Sequence, residues 1–441
     1  MRIDHIHIQN FRGIEELKME LHPQFNLLIG ENGSGKTAIL EALAVGIGSY
    51  FSGMAGVNSR HIRNSDLRYF KTIEGSYEYT ANTCVKIIKG FVNNQIVSWY
   101  KERDGITGSN KMGNKSSIKA ISENIDKALR DPKRSTTIDL SVLAYYSTAR
   151  LWKEGRENNK DEEKGNSIKN LPSRYRGYKD ALEIKSTFTI ILDWFKSKFR
   201  DKAVNEDTSF QLECVKNVIV KNIPRAKNVK WVFDKDKLQT LYIVFEDENE
   251  VPFNYLSDGY RNMLAIFADL AYRCVTLNPH FGKEANLKSE GIILIDELDL
   301  HLHPAWQKNI VNQLKSTFPK IQFVATTHSP FIIQETNDGE LFKLQNNKTV
   351  SISGANEYSL EDVAEYLQHV EDPAWSIRKR EMYEAAKEYF NLLNKLDRNT
   401  SDPELNQIRE KLNILGKPYS DNVAYTAFLE QKRFLAEEKL K

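Results

Sequence analysis

Apolar and polar positions along this chain fall into short, sharply bounded blocks. Near the start, Ile6 and Ile8 alternate with His5 and His7, the period-two pattern of a half-buried strand. Phe25–Ile29 is a short run that reads as a buried strand, and residues 38–45 continue as an apolar helix after a glycine-rich turn. Residues 1–50 therefore predict two strands, a third strand before the turn, and a helix. Further strands are expected at 84–89, 96–101, 138–146, 228–233 and 240–246, with helices at about 180–200 and 208–222. Two tracts break the pattern. Residues 104–117, rich in Gly, Asn, Ser and Lys, and the charge-mixed residues 153–180 both read as loops. Gly291–Ile295 is apolar throughout, which suits a central parallel strand covered on both faces, and 323–326 is another β-rich run. Beyond it the tail predicts helix. Met382, Ala386, Tyr389 and Leu393 recur at helical spacing, and Ala424, Phe428 and Leu435 mark a last amphipathic helix. The whole pattern belongs to the α/β class.

Four polar segments interrupt these blocks with candidate chemistry. Gly30-Glu31-Asn32-Gly33-Ser34-Gly35-Lys36-Thr37 fits G-x-x-x-x-G-K-[ST] and stands between a strand and a helix, the context this phosphate loop requires. Gly30, Asn32, Gly33, Ser34 and Gly35 would curl backbone N–H groups around phosphates, aided by the helix dipole. Lys36 would reach the β- and γ-phosphates of ATP, and Thr37 would bind Mg²⁺. The run Gly291–Ile295 ends in Asp296 and Glu297. Alone it reads equally well as a plain core strand. Downstream of a phosphate loop it reads as a Walker B strand, with Asp296 on Mg²⁺ and Glu297 as general base toward water. Leu256-Ser257-Asp258-Gly259-Tyr260-Arg261-Asn262 precedes an apolar helical stretch, 263–274. A hydroxyl and a backbone N–H at a helix N-terminus can bind phosphate, although a simple Ser/Asp cap has the same look. His328 closes the run that begins at Phe323; a lone His at a strand end is more often structural, but here it could hold the attacking water.

Taken in order, these segments resemble the Walker A, signature, Walker B and switch-histidine motifs of ABC-type ATPases. Asp258 and Tyr260 depart from the usual L-S-G-G-Q. Ile8-Gln9-Asn10-Phe11-Arg12-Gly13-Ile14 and Asp296-Glu297-Leu298-Asp299-Leu300-His301-Leu302-His303-Pro304 further resemble the branch that includes RecF, the SMC-type proteins and the OLD-family enzymes. The likeness covers roughly residues 1–60, 140–152 and 240–335. It implies a two-lobed α/β head over 1–335, with a nucleotide lobe of 1–60 and 240–335. A helical insertion at about 61–239 and a helical C-terminal region, 336–441, complete the expected layout. It also implies that two heads trap two ATP molecules, each site being completed in trans by Ser257, Asp258 and Gly259. Arg12 would lie near the nucleotide and Asp299 would contact the opposing head. An acid at Asp258 would repel a γ-phosphate unless it points away, so slow hydrolysis is expected. Arg150 stands where related ATPases carry a Gln, which makes it a lesser candidate for sensing nucleotide.

Composition narrows the reading. A chain of 441 residues with 40% hydrophobic content has ample material for a large core. No stretch approaches the roughly 18 apolar residues of a membrane helix. Cys84, Cys214 and Cys274 lack metal spacing and suit a reducing compartment, and no signal peptide precedes the first strand, so a cytoplasmic protein is expected. A net charge of +2 argues against a surface that coats DNA. Arg174, Tyr175, Arg176 and Tyr178 could still grip nucleic acid through phosphates and bases, although such a loop is more often simply solvated. His301 and His303 have no third metal ligand near them in sequence. Sustained heptads are missing, so SMC-type coiled-coil arms are not expected. The tail after Gln334 has no D-x-D pair and a single histidine, His369, so neither a toprim nor an HNH nuclease is expected there. It either packs on the head or docks a partner.

A compact head with these exclusions resembles the ATPase subunit of Septu-type antiphage systems, whose relatives also stand beside retrons. That resemblance implies a homodimer or higher even-numbered oligomer, bound to ATP and Mg²⁺, that regulates or scaffolds an HNH-type nuclease partner. DNA or retron-type nucleic acid would be a further partner, and a membrane would not. The alternative is a stand-alone RecF-like repair or recombination ATPase whose own basic loops grip DNA.

Overall fold

The computed structural model describes residues 1–113, 115–151, 172–183, 188–202, 209–233, 238–345, 348–371, 373, 375–395 and isolated positions beyond. The expected helix at Ala424, Phe428 and Leu435, and most of the 153–180 tract, lie outside the described residues. The chain divides into two compact units, Met1–Val363 and Ala364–Lys441.

The first unit begins with a hairpin of β1 (Arg2–Phe11) and β2 (Ile14–Glu20), then β3 (Phe25–Ile29), the glycine-rich loop and α1 (Lys36–Ile47). A small ribbon, β4 (Tyr69–Lys71) with β5 (Tyr77–Tyr79), precedes β6 (Asn82–Val92), β7 (Gln95–Asp104), β8 (Asn110–Gly113) and α2 (Lys115–Arg130). Next come β9 (Val142–Tyr146), α3 (Phe188–Lys202), α4 (Ser209–Asn222), β10 (Ala226–Trp231), β11 (Leu241–Phe245) and β12 (Glu250–Pro252). The chain continues through α5 (Asp258–Leu277), α6 (Ala285–Lys288), β13 (Gly291–Ile295), α7 (Pro304–Thr317), β14 (Ile321–Thr326) and α8 (Pro330–Ile333). It closes with β15 (Leu341–Gln345), β16 (Lys348–Ile352) and α9 (Leu360–Asp362). In the second unit α10 (Ile377–Lys395) is described, with Met382, Ala385 and Ala386 buried.

The central sheet runs β16-β15-β3-β14-β13-β9, parallel except for the β16 edge. Every position of β3, β9, β13 and β14 is buried, as expected of parallel strands packed on both faces. The register aligns their ends: Ile295 pairs with Ala325 and Tyr146, and Thr326 pairs with Leu28. Parallel direction and matched register bring the segments after β3, β13, β14 and β9 out at one edge. Those segments are the glycine-rich loop, the acidic pair, Thr327-His328 and Ser147–Arg150, and this edge is where open α/β sheets bind ligands. A second, antiparallel sheet, β2-β1-β6-β7-β8, is fastened to α1 by the fully buried Trp99, whose indole N–H donates to the Gly46 carbonyl at 2.9 Å.

Several expectations need correcting. The polar tract at 104–117 contains β8 and the start of α2, because its composition reports an exposed edge strand and not a lack of backbone pairing. The insertion is mixed, with β4 to β8 and β10 beside its helices. The head does not close at 335. Buried β15 pairs in parallel with β3, and β16 pairs with β15, so residues 336–363 belong to the head unit. Such pairing across most of the chain length leaves no local periodic signal.

Candidate nucleotide site

The glycine-rich loop turns on backbone that only glycine adopts easily. Gly30, Gly33 and Gly35 have φ of 149°, 80° and 102°, and a Cβ on Gly30 would come within 2.9 Å of the Leu344 carbonyl oxygen. Gly35 hands the chain into α1. Lys36, nearly buried, donates from its ammonium to the carbonyls of Gly30 at 2.8 Å and Glu31 at 2.9 Å. Burial lowers its pKa, while the carboxylates of Asp296, Glu297 and Asp299 work in the opposite direction and mark this as an acidic neighbourhood. The buried Ser34 hydroxyl has no hydrogen-bond partner among the described residues, a donor suited to a phosphate oxygen.

The Thr37 hydroxyl donates to the Asp296 carboxylate at 2.9 Å, and the Thr326 hydroxyl donates to the same carboxylate at 2.7 Å. Thr326 in turn accepts the Glu297 backbone N–H at 2.8 Å. A threonine hydroxyl against a carboxylate is a set of hard oxygen donors of the kind that would hold Mg²⁺. Glu297, half-buried, has a left-handed backbone with φ of 49°, a conformation that costs a non-glycine residue about 1–2 kcal/mol. The backbone of His328, whose residue is exposed, donates to Asp299 Oδ1 at 3.3 Å, and the Thr327 hydroxyl donates there at 2.6 Å. Asp299 thus ties the His328 turn to the segment after β13.

Ser257 occupies the N-cap of α5, but its hydroxyl makes no capping hydrogen bond. Asp258, exposed, pairs with Arg261 one turn on, which offsets its charge. Gly259 has a packing reason of its own. A Cβ there would meet the His301 carbonyl oxygen at 2.7 Å and a Trp306 ring carbon at 3.0 Å. Arg12 donates to Glu41 at 2.6 Å and to Asp66 at 2.9 Å, and the fully buried Arg60 shares both carboxylates. Its charge is therefore compensated within the chain.

The family profile described as "AAA domain, putative AbiEii toxin, Type IV TA system" matches residues 25–334. The Septu protein PtuA of Bacillus thuringiensis is 31% identical, over 78% of this chain and 75% of its own length. The chain belongs to this family of AAA-domain ATPases. The "Retron Ec83 probable ATPase" of Escherichia coli is 27% identical, over 79% of this chain and 72% of its own length. RecF of Actinobacillus pleuropneumoniae is 38% identical, but over 16% of this chain and 18% of its own. Among solved structures, an SMC head bound to the C-winged helix domain of ScpA covers 81% of this chain and 99% of its own, at 15% identity and a TM-score of 0.46. The fold assignment accordingly rests on sheet order and motif placement, not on that superposition.

Sequence reasoning missed part of this candidate site. Arg150, a lesser candidate on sequence alone, is buried directly behind the acidic pair. Thr326 and Asn262 gave no sign, since single polar residues at element ends look alike in a sequence. Of the Arg/Tyr cluster only Arg176 is exposed, as expected of a solvated loop; the other three depart from both alternatives. Arg174, Tyr175 and Tyr178 are buried and fasten the 173–178 turn, neither solvated nor presented to nucleic acid. Arg174 donates to the carbonyls of Leu277, Ser135 and Ile138, Tyr175 to Asp126 at 2.7 Å, and Tyr178 to the Ser141 carbonyl at 2.9 Å. His303 caps α7, accepting from the Ala305 N–H at 3.2 Å, and no cluster of three metal-ligating residues occurs among the described residues. No described helix is long and apolar enough to cross a membrane.

Proposed function

We propose that this ATPase is Mg²⁺-dependent, that its heads pair face to face around ATP, and that it regulates or scaffolds a partner nuclease in antiphage defence. The observation that carries the reading is the cluster of Thr37, Asp296 and Thr326 beside Lys36, with Glu297 next along the chain. Lys36 and the N–H groups at the start of α1 bind the β- and γ-phosphates, the ammonium exchanging loop carbonyls for phosphate oxygens. Mg²⁺, held by Thr37 and Asp296, would neutralise phosphate charge. The Glu297 carboxylate takes the proton of the attacking water, and His328 holds that water in place. Arg12 borders the nucleotide. Ser257, Asp258 and Gly259 at the start of α5 serve the nucleotide of the opposing head, and Asp299 contributes to the contact between heads. The Ser257 hydroxyl, unused as a cap, and the Asp258–Arg261 pair support that assignment.

Likeness to PtuA over three-quarters of that protein's length supports the defence role, whereas the RecF likeness is confined to a short segment. In this reading the chain has no nuclease site of its own, and cutting chemistry of HNH type arrives with the partner. The test is native mass spectrometry of Glu297→Gln protein co-expressed with its genomic neighbours, with and without ATP and Mg²⁺. An even number of heads carrying a nuclease is expected. Turnover should drop at least about 100-fold while ATP binding persists. Heads that stay monomeric with ATP would sink the pairing, and normal turnover by Glu297→Gln would remove that residue from its role.

A further inference from the structure

The turn that carries Glu297 is held from behind by a side chain from another part of the fold. Arg150 lies just beyond β9 and is 2% exposed. Its guanidinium donates to the Asp296 carbonyl at 2.7 Å, the Glu297 carbonyl at 2.8 Å and the Ser147 carbonyl at 3.0 Å. Its Nε donates to Asn262 Oδ1 at 2.6 Å. Asn262 sits in the opening turns of α5, and its amide nitrogen donates to the Leu300 carbonyl at 2.5 Å, three residues beyond Glu297. The start of α5, the end of β9 and the acidic turn are thereby closed into one ring of hydrogen bonds.

The same helix is tied to β9 a second time. The Tyr146 hydroxyl donates to Asp269 at 2.6 Å, and Arg273 donates to the same oxygen at 2.7 Å. The helix therefore cannot shift its first turn without straining Asn262 and Arg150.

Four acceptors around one side chain call for a planar group with several donors, which guanidinium provides and an ammonium does not. None of the four acceptors is a carboxylate; the acidic charges nearby belong to Asp296, Glu297 and Asp299. Burial lowers the pKa of Arg150 to about 10, with those three carboxylates opposing, so the group stays charged at neutral pH. The two carbonyls it holds flank a residue whose left-handed backbone needs outside support.

We propose that Arg150 is a positioning residue that links two half-sites of one head. It fixes the Glu297 turn for the head's own nucleotide and, through Asn262, sets the start of the helix whose Ser257–Gly259 end serves the opposing nucleotide. The inference rests on the paired-head reading above. Binding of the partner's nucleotide at α5 is then felt at the head's own Glu297, and turnover is cooperative in ATP.

The experiment compares full-length wild type, Arg150→Ala, Arg150→Lys, Asn262→Ala and the Arg150→Ala/Asn262→Ala double variant. Turnover is followed against ATP concentration, binding with a fluorescent ATP analogue, and folding by thermal melting. Wild type is expected to turn over ATP with a Hill coefficient above one. Arg150→Ala should lower kcat at least tenfold with analogue affinity within threefold, and Arg150→Lys should not restore kcat. Asn262→Ala should bring the Hill coefficient to one with a smaller loss of kcat. The double variant should be no worse than Arg150→Ala alone. Losses that multiply in the double variant, a kcat within twofold in Arg150→Ala, or rescue by lysine would overturn the linkage while leaving the ATPase reading intact. Wild type that turns over ATP without cooperativity also overturns it. If wild type does not hydrolyse ATP at all, the reading beneath the proposal fails and takes the linkage with it. Should Arg150→Ala fail to fold, Asn262→Ala decides, since unchanged cooperativity there is fatal.

Discussion

Gly259→Ala probes whether the opening turn of α5 is placed by close packing. The added methyl would lie 2.7 Å from the His301 carbonyl oxygen and 3.0 Å from Trp306. Ordinary carbon–oxygen contacts begin near 3.3 Å, so about 0.6 Å must be found. The first neighbour is backbone, at a residue with φ of 58°, and cannot rotate aside as a side chain would. Trp306 is confined by Tyr260, whose ring centroid is 4.7 Å away. Overpacking of this kind costs about 1–3 kcal/mol, whereas alanine in a helix recovers about 1 kcal/mol relative to glycine. The net is a destabilisation of about 0–2 kcal/mol, together with a displacement of Ser257 and the helix start. Thermal melting and ATP-driven pairing, measured in a Glu297→Gln background, separate the two effects. The expected result is a small fall in melting temperature with pairing weakened at least tenfold. A variant that melts higher and pairs normally would show that helix propensity outweighs the clash and that Gly259 is not needed for this approach.

Two other perturbations address the interior. Tyr146→Phe removes one of the two donors to the buried Asp269 Oδ2, whose Oδ1 already has no partner among the described residues; a loss of about 1–3 kcal/mol is expected by chemical denaturation, and no loss would discount the β9–α5 tie. Lys101, buried and donating to Ser59 Oγ and the Arg60 carbonyl, has its pKa lowered to about 7, first by burial and then by Arg60. The folded value lies below the unfolded one, so between about pH 7 and 10.5 the unfolded chain binds more protons and stability rises with pH, by at most about 1.4 kcal/mol per unit. Below pH 7 the penalty for burying the charge is fully present. Melting curves of Lys101→Met across this window should lose that rise, and an unchanged slope would assign it to other groups.

Much of the candidate site was legible because its candidate chemistry falls on residues adjacent in sequence. A phosphate loop needs glycines, lysine and threonine at fixed spacing so that one turn and one helix start can wrap a phosphate, and that spacing survives without any knowledge of the fold. The apolar run into Asp296 and Glu297 announces a buried strand for a similar reason, since a strand covered on both faces can have no polar period. Such local logic determined the family and the class of fold, and it singled out the acidic pair as a candidate.

Only the tertiary structure decided what depends on distant partners. Arg150 is an arginine after a strand until the parallel register of β9 and β13 sets it behind Glu297. Arg174 and Tyr178 belong to a stretch with the composition of a surface, yet they donate to carbonyls of segments that fold over them. Strand β15 joins the sheet by pairing with distant β3, Leu341 opposite Leu27, and β16 joins only through β15. Charge and hydrogen-bonding capacity are properties of single residues, whereas burial and satisfaction are properties of pairs. A sequence displays the first directly and the second only where the pair is close along the chain.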